Sequence, residues 1–224
     1  GVTNATQNHT LVRKSSVGSG NTNWSTSAGT TTDNSEWIVY DLQTWSYLGS
    51  HTMILPNLLS EGFESGSIPE NWSVLNLDNH SANWYAYESS FYAHSGSFLA
   101  RVYYRPLSAA PQNQPSDDWL ITPKLDVVSG DSISFWARSS NSNPYESFNV
   151  RVSSTNAESA AGFTDTLASV TTVPTTWTRY AYALGSYAGQ DIYIAVQHNT
   201  YDGWYLYVDD FNGPQVWIDD SPVI

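Results

Sequence analysis

Along this chain apolar and polar residues alternate over short stretches instead of recurring at helical spacing. Trp37-Ile38-Val39-Tyr40, Ser132-Ile133-Ser134-Phe135-Trp136, Phe148-Asn149-Val150-Arg151-Val152, Ile192-Tyr193-Ile194-Ala195-Val196 and Tyr205-Leu206-Tyr207-Val208 are β-branched and aromatic runs, most of them bounded by Gly, Asn, Asp, Ser or Pro. Such runs closed by turn residues predict the strands of an antiparallel sandwich. No segment keeps apolar residues at i, i+3, i+4 and i+7 for three turns, so no long amphipathic helix is expected. The pattern predicts an all-β fold.

Charge then divides the chain near residue 53. Residues 1–53 hold two cations and three acids, whereas the remainder holds six cations against eighteen acids. Between the parts, Met53-Ile54-Leu55-Pro56-Asn57-Leu58-Leu59 contains a proline that disfavours helix, and residues 54–60 read as an extended connector. The expected layout is a β segment over 1–53, a sandwich over 61–215 and an acidic tail over 216–224. With a formal charge of −13, the chain lacks the Lys and Arg that neutralise phosphates, so nucleic acid is excluded as a partner. No apolar run approaches the ~20 residues that span a bilayer, so membrane insertion is not expected. Cysteine is absent, which removes thiol nucleophiles, disulfides and thiolate metal sites. Two lysines in 224 residues rich in Ser, Thr, Asn, Gly, Trp and Tyr fit an exported bacterial protein at the cell surface or beyond it.

The order of motifs from Glu61 onward narrows the picture. Glu61-Gly62-Phe63-Glu64 leads to Ile68-Pro69-Glu70-Asn71-Trp72, Asn83-Trp84, His94-Ser95-Gly96-Ser97 and Asp118-Trp119-Leu120-Ile121-Thr122-Pro123. Ile133-Ser134-Phe135-Trp136-Ala137-Arg138, Val150-Arg151-Val152-Ser153, Tyr187-Ala188-Gly189-Gln190 and Tyr205-Leu206-Tyr207-Val208-Asp209-Asp210 complete the series. Residues 60–213 thereby resemble the cleaved-adhesin or choice-of-anchor J family, relatives of the MAM-type jelly roll. Residues 1–52 resemble something different. His9-Thr10-Leu11-Val12-Arg13-Lys14, Asn23-Trp24, Glu36-Trp37-Ile38-Val39 and Leu48-Gly49-Ser50-His51-Thr52 look like the C-terminal half of a bacterial lamin-tail domain, an immunoglobulin-like sandwich. Half a sandwich exposes an apolar face and free strand edges, so the chain is expected to be a fragment of a longer secreted protein.

The resemblance implies structural calcium. Calcium takes six to eight hard oxygens and needs neither thiol nor imidazole. Glu64 opens the domain, Asp209 and Asp210 close its last strand, and first and last strands of such sandwiches commonly adjoin. Asp78 and Asn79 match the acidic loop that ligates metal in MAM-like relatives. The simpler alternative is that these side chains cap turns without metal. On a flat strand Asp209 and Asp210 point to opposite faces, so only a bulge allows both to serve.

Exposed aromatic rings stack on sugar rings while neighbouring polar groups bond the hydroxyls. Tyr85, Tyr87, Tyr103, Tyr104, Tyr201, Asp202 and Trp204 are the candidates for a surface facing a glycan or other extracellular polymer. Trp72, Trp84, Trp119, Trp136 and Trp177, at positions of the family pattern, are assigned to the core. No Gly-x-Ser-x-Gly elbow, His-Glu-x-x-His helix, Walker loop or dinucleotide fingerprint occurs, and the five histidines are dispersed. Asp117-Asp118 reads as a solvated loop, and no catalytic residue is assigned. The expectation is a non-catalytic adhesion or carbohydrate-binding module. Its alternatives are a subunit that assembles with other chains by strand complementation, and an accessory domain of an exported nuclease or peptidase.

Overall fold

The computed structural model describes residues 6–18, 20–47, 57–109, 112–143 and 145–217. Two compact units divide the chain, Gly1–Asn57 and Leu58–Ile224. In the first, β1 (His9–Arg13) runs antiparallel to β2 (Trp37–Asp41), with Leu11 opposite Val39 and Arg13 opposite Trp37. A short helix, α1 (Trp24–Ala28), lies between them in sequence, where only β structure was expected. Asn23 explains it: as N-cap, its side chain accepts from the Ser25 and Thr26 amides. Glu36 binds Arg13, Asn21 and Ser27 together, and Ser27 also accepts from the Trp37 indole. Leu11, Trp24, Trp37 and Val39 line an open groove of about 340 Å³. The lamin-tail motif at 48–52 lies outside the described residues, as does residue 218 onward of the expected acidic tail.

Among the described residues twelve strands build the second unit: β3 (Leu58–Glu61), β4 (Ser73–Asn76), β5 (Tyr85–Glu88), β6 (Phe98–Tyr103), β7 (Asp118–Ile121), β8 (Leu125–Asp126), β9 (Ser132–Ser139), β10 (Phe148–Ser153), β11 (Asp165–Val170), β12 (Thr178–Ala183), β13 (Asp191–His198) and β14 (Tyr205–Val216). The first of them begins inside the stretch read as a connector. One layer runs β5-β6-β14-β9-β12, with β3 flanking the second half of β14. The other runs β4-β7-β13-β10-β11. The short β8 pairs with both β13 and β14 and so joins the two layers along one edge. Every pairing is antiparallel, and the result is the expected β-sandwich.

Alternation along each strand sorts its residues between core and surface. Ile133, Phe135 and Ala137 of β9 point inward to meet Phe148 and Val150 of β10, Ile192 and Ile194 of β13, and Leu206 and Val208 of β14. Trp72, Trp84 and Trp119 are buried. Trp136 and Trp177 are not core residues. Trp136 has the parity opposite to Phe135 and therefore stands on the outer face, where it stacks on the His94 ring at 4.0 Å.

Candidate functional site

The outer face of the first layer is a cross-strand lattice of rings and guanidinium groups. Register places Tyr85 opposite Arg101, Arg101 opposite Tyr207, and Tyr207 opposite Arg138, all on one face. The Arg101 guanidinium lies 3.3 Å from the Tyr87 ring centre, 4.5 Å from Tyr205 and 4.9 Å from Tyr85, and its Nε donates to the Tyr85 hydroxyl. Tyr103 packs on Tyr104 at 4.8 Å, on Tyr205 at 4.9 Å and on Trp204 at 6.2 Å. Tyr85 and Trp204 remain 40% and 49% exposed. Burial, with help from Tyr104 and Tyr205, pushes the Tyr103 phenol up to about 12, so it stays a neutral donor. On the β9 side the lattice is covered: Tyr92, in the β5–β6 loop, stacks on Tyr207 at 5.5 Å, and its carbonyl accepts from the Trp177 indole.

Five of the seven sequence candidates, Tyr85, Tyr87, Tyr103, Tyr104 and Trp204, thus form one cluster. Tyr201 and Asp202 are exposed in the loop before β14, and no ring contact joins Tyr201 to the rest. Arg101 and Tyr205 were missed, although Arg101 shares its parity with Tyr103, and Tyr205 with Tyr207.

Beneath this loop lies a buried ionisable group that the sequence did not reveal. His198 is fully buried, its Nε2 2.8 Å from Glu146 Oε2 and its Nδ1 4.0 Å from Asp118 Oδ2. Asp118 is not in a solvated loop. It opens β7 directly opposite His198, and its carbonyl accepts from the Trp84 indole. Desolvation, with Asp78 and Asp117 nearby, pushes Asp118 up to about 6 against the pull of His198. For His198 desolvation works downward, yet Asp118 and Glu146 together raise it. For Glu146 desolvation works upward, but His198, the Trp204 amide and Thr200 hold it below its ordinary range. Glu146 also accepts from the Trp204 backbone N–H and so fixes the loop that carries the exposed indole.

The acidic residues assigned to calcium separate into two places. Asp209 Oδ2 accepts from the His94 and Ser95 amides, while Asp210 holds the His94 ring at 2.6 Å and the Ser95 hydroxyl at 2.8 Å. Glu64 accepts from the Ser97 and Phe98 amides of the same loop. A Cβ on Gly62 would stand 3.2 Å from Asp210 Oδ1 and 3.6 Å from Asp209 Oδ1, so both carboxylates face the end of β3. They do so because Asp210 adopts φ 48° at a bulge in β14, which cancels the strand alternation. Burial, then Asp210, pushes Asp209 up to about 7. Asp78 and Asn79 lie elsewhere. Asp78 accepts from the His80 and Asp117 amides, and Asn79 takes φ 60° in that turn. Among the described residues no three His, Asp or Glu side chains converge as a ready metal cage.

Comparison with known proteins follows the second unit. A family model described as the Cleaved Adhesin Domain matches residues 57–212. Hemagglutinin A of Porphyromonas gingivalis is 26% identical over 175 residues, 68% of this chain but 8% of that protein. Lys-gingipain of Porphyromonas gingivalis is 30% identical over 115 residues, 49% of this chain and 6% of that protein. The crystal structure of the K1 cleaved adhesin domain of Lys-gingipain superposes with a TM-score of 0.59 at 25% identity, covering 70% of this chain and 98% of that domain. The chain therefore spans a small fraction of the length of its curated relatives. Over its second unit, it belongs to the cleaved-adhesin domain family.

Proposed function

We propose that this chain is a non-catalytic adhesion module of a larger exported bacterial protein, and that it binds glycan on the outer face of its first layer. The carrying observation is the half-open ring cluster of Tyr85, Tyr87, Tyr103, Tyr104, Trp204 and Tyr205 around Arg101. Flat rings supply apolar area at low entropic cost, and the phenol and guanidinium groups supply directional donors. Membership of an adhesin family and a relative named as a hemagglutinin support a binding role. Among the described residues no helix is long and apolar enough to cross a membrane.

Asp209 and Asp210 are the side chains that would hold calcium, and Glu64 is tied to the same loop through the Ser97 and Phe98 amides. Both aspartates offer hard oxygens, and Asp209 is a buried carboxylate with amide donors but no cation partner among the described residues. Backbone carbonyls and water would complete the shell. When bound, the ion would supply positive charge that ties the bulge of β14 to the 94–97 loop.

A glycan array read with the full chain tests the binding reading. Tyr103→Ala and Trp204→Ala should each weaken the best signal about tenfold, roughly 1.4 kcal/mol, at a temperature where each variant's melting curve shows it folded. Absence of binding to any glycan, or variants that bind like the parent, would overturn it.

One observation favours a second reading for the first unit. Among the described residues β1 and β2 pair only with each other, beside an open groove lined by Leu11, Trp24, Trp37 and Val39. A strand from a second copy would complete this sheet. Light scattering should then show mass rising with concentration; a monomer at all concentrations excludes it.

A further inference from the structure

Acids outnumber cations in this molecule, yet among the described residues the two arginines of the ring lattice, like Arg151 and Arg179, form no ion pair. Residues 54–224 carry eighteen acids against six cations. Lys124 pairs with Asp191 at 3.2 Å, and in the first unit Arg13 pairs with Glu36 at 3.2 Å. Arg101 and Arg138 have no carboxylate within ion-pair distance among the described residues. Their neighbours are rings instead. Arg138 lies 5.3 Å from Tyr207, 5.6 Å from Tyr92 and 5.8 Å from Trp177, with its Nε buried and unpaired. Register sets Arg101 on β6 and Arg138 on β9 in one row, separated by β14, so their backbones stand about 10 Å apart.

Cation–π stacking holds a guanidinium by its face and leaves edge donors for another group. Arg101 bonds the Tyr85 hydroxyl through its Nε–H and the Tyr207 phenol as well, and none of its donors meets a carboxylate among the described residues. A guanidinium fork matches a carboxylate in a two-bond pair, stronger and more selective than a bond to a neutral hydroxyl. Resting on the glycan reading above, we propose that this face selects saccharides bearing a carboxylate: Arg101 takes the acid group while the tyrosines and Trp204 pack the sugar rings, and Arg138 lies beneath the Tyr92 and Trp177 cover at the closed end of the row. The remaining surface is acidic and repels anions at long range. Selection therefore resides in this local pairing, not in the overall field.

Two matched probe pairs test the proposal on the full chain: oligogalacturonate against its methyl ester, and 3′-sialyllactose against lactose, read beside a panel of neutral glycans. The acidic member of at least one pair should bind about tenfold or more tighter. Arg101→Gln should bring that ratio toward one, and Arg101→Lys, which keeps charge but loses the fork, should fall between. Should Arg101→Gln melt early, the partial loss of discrimination in Arg101→Lys supplies the second reading. Glycan binding with equal affinity for both members of each pair would overturn the acid selection and leave the glycan reading standing. Discrimination that survives both Arg101 variants would also overturn it. Binding to no saccharide of either kind removes the glycan reading itself, and this inference with it.

Discussion

Gly203 shows how one small residue places a large one. A Cβ there would stand 2.4 Å from Glu146 Oε1 and 2.7 Å from Thr200 Cγ2, closer than packed atoms approach. Both neighbours are committed: Glu146 to His198 and the Trp204 amide, Thr200 to the Ser147 amide at 2.8 Å. Gly203→Ala should therefore cost about 1–3 kcal/mol in denaturant unfolding and displace Trp204 from Tyr103. Wild-type stability with unchanged indole fluorescence would show that Glu146 can yield. The sequence marks 201–205 as an aromatic loop, but the glycine's necessity was not readable there. It depends on a carboxylate 58 residues away from the tryptophan it anchors.

Among elements, β14 decides most of the site. Its presence was plain from Tyr205-Leu206-Tyr207-Val208, since alternation is a local signal. Tyr85, Tyr87 and Tyr103 were candidates for a binding surface because aromatic residues cluster there. What local alternation misses is a change of phase. One extra residue at Asp210 lets Val208 and Phe211 both enter the core and turns Asp209 and Asp210 toward the same loop. Trp136 failed in the opposite sense: motif position argued for core, whereas strand parity, available in Phe135-Trp136-Ala137, argued for surface; Trp177, just before β12, joins it there by donating its indole to the Tyr92 carbonyl. Calcium tests the corner that the bulge creates. Free calcium at 100 times its dissociation constant should add about 2.7 kcal/mol of stability over a chelated sample. Asp209→Asn combined with Asp210→Asn should abolish that increment. An increment that persists in the double variant, or none in the parent, would refute the corner as a calcium site.

For the second unit as a whole, the question is what a buried histidine between two carboxylates does to stability. Ile192, Ile194, Val196 and His198 share one face of β13, so the alternation that fills the core also drives His198 into it. Facing it are Glu146 and Asp118; Asp78 and Asp117 flank Asp118, and Arg105, also buried, donates to the Asp78 carbonyl. Each group acts in its own pH window. Glu146, held below 4.5, contributes stability that is lost on acidification beneath that value. Asp118, raised from 3.8 to about 6, contributes below 3.8 and has lost that contribution above 6. His198, raised above 6.5, contributes fully below 6.5 and loses it as pH climbs through its elevated value. Above neutrality, then, His198 is the member of the three still changing, and stability should fall as pH rises. Asp209, raised to about 7, adds a decline of the same sign in chelated protein, so a difference measurement is required. His198→Gln keeps a polar side chain but no titration. It should be less stable than the parent by about 3–5 kcal/mol at pH 6.5, because Glu146 loses its buried partner, and the gap should narrow toward pH 9. Melting curves of the two proteins in chelator across that range decide the matter. Profiles that stay parallel would mean that the imidazole carries no charge in the folded protein.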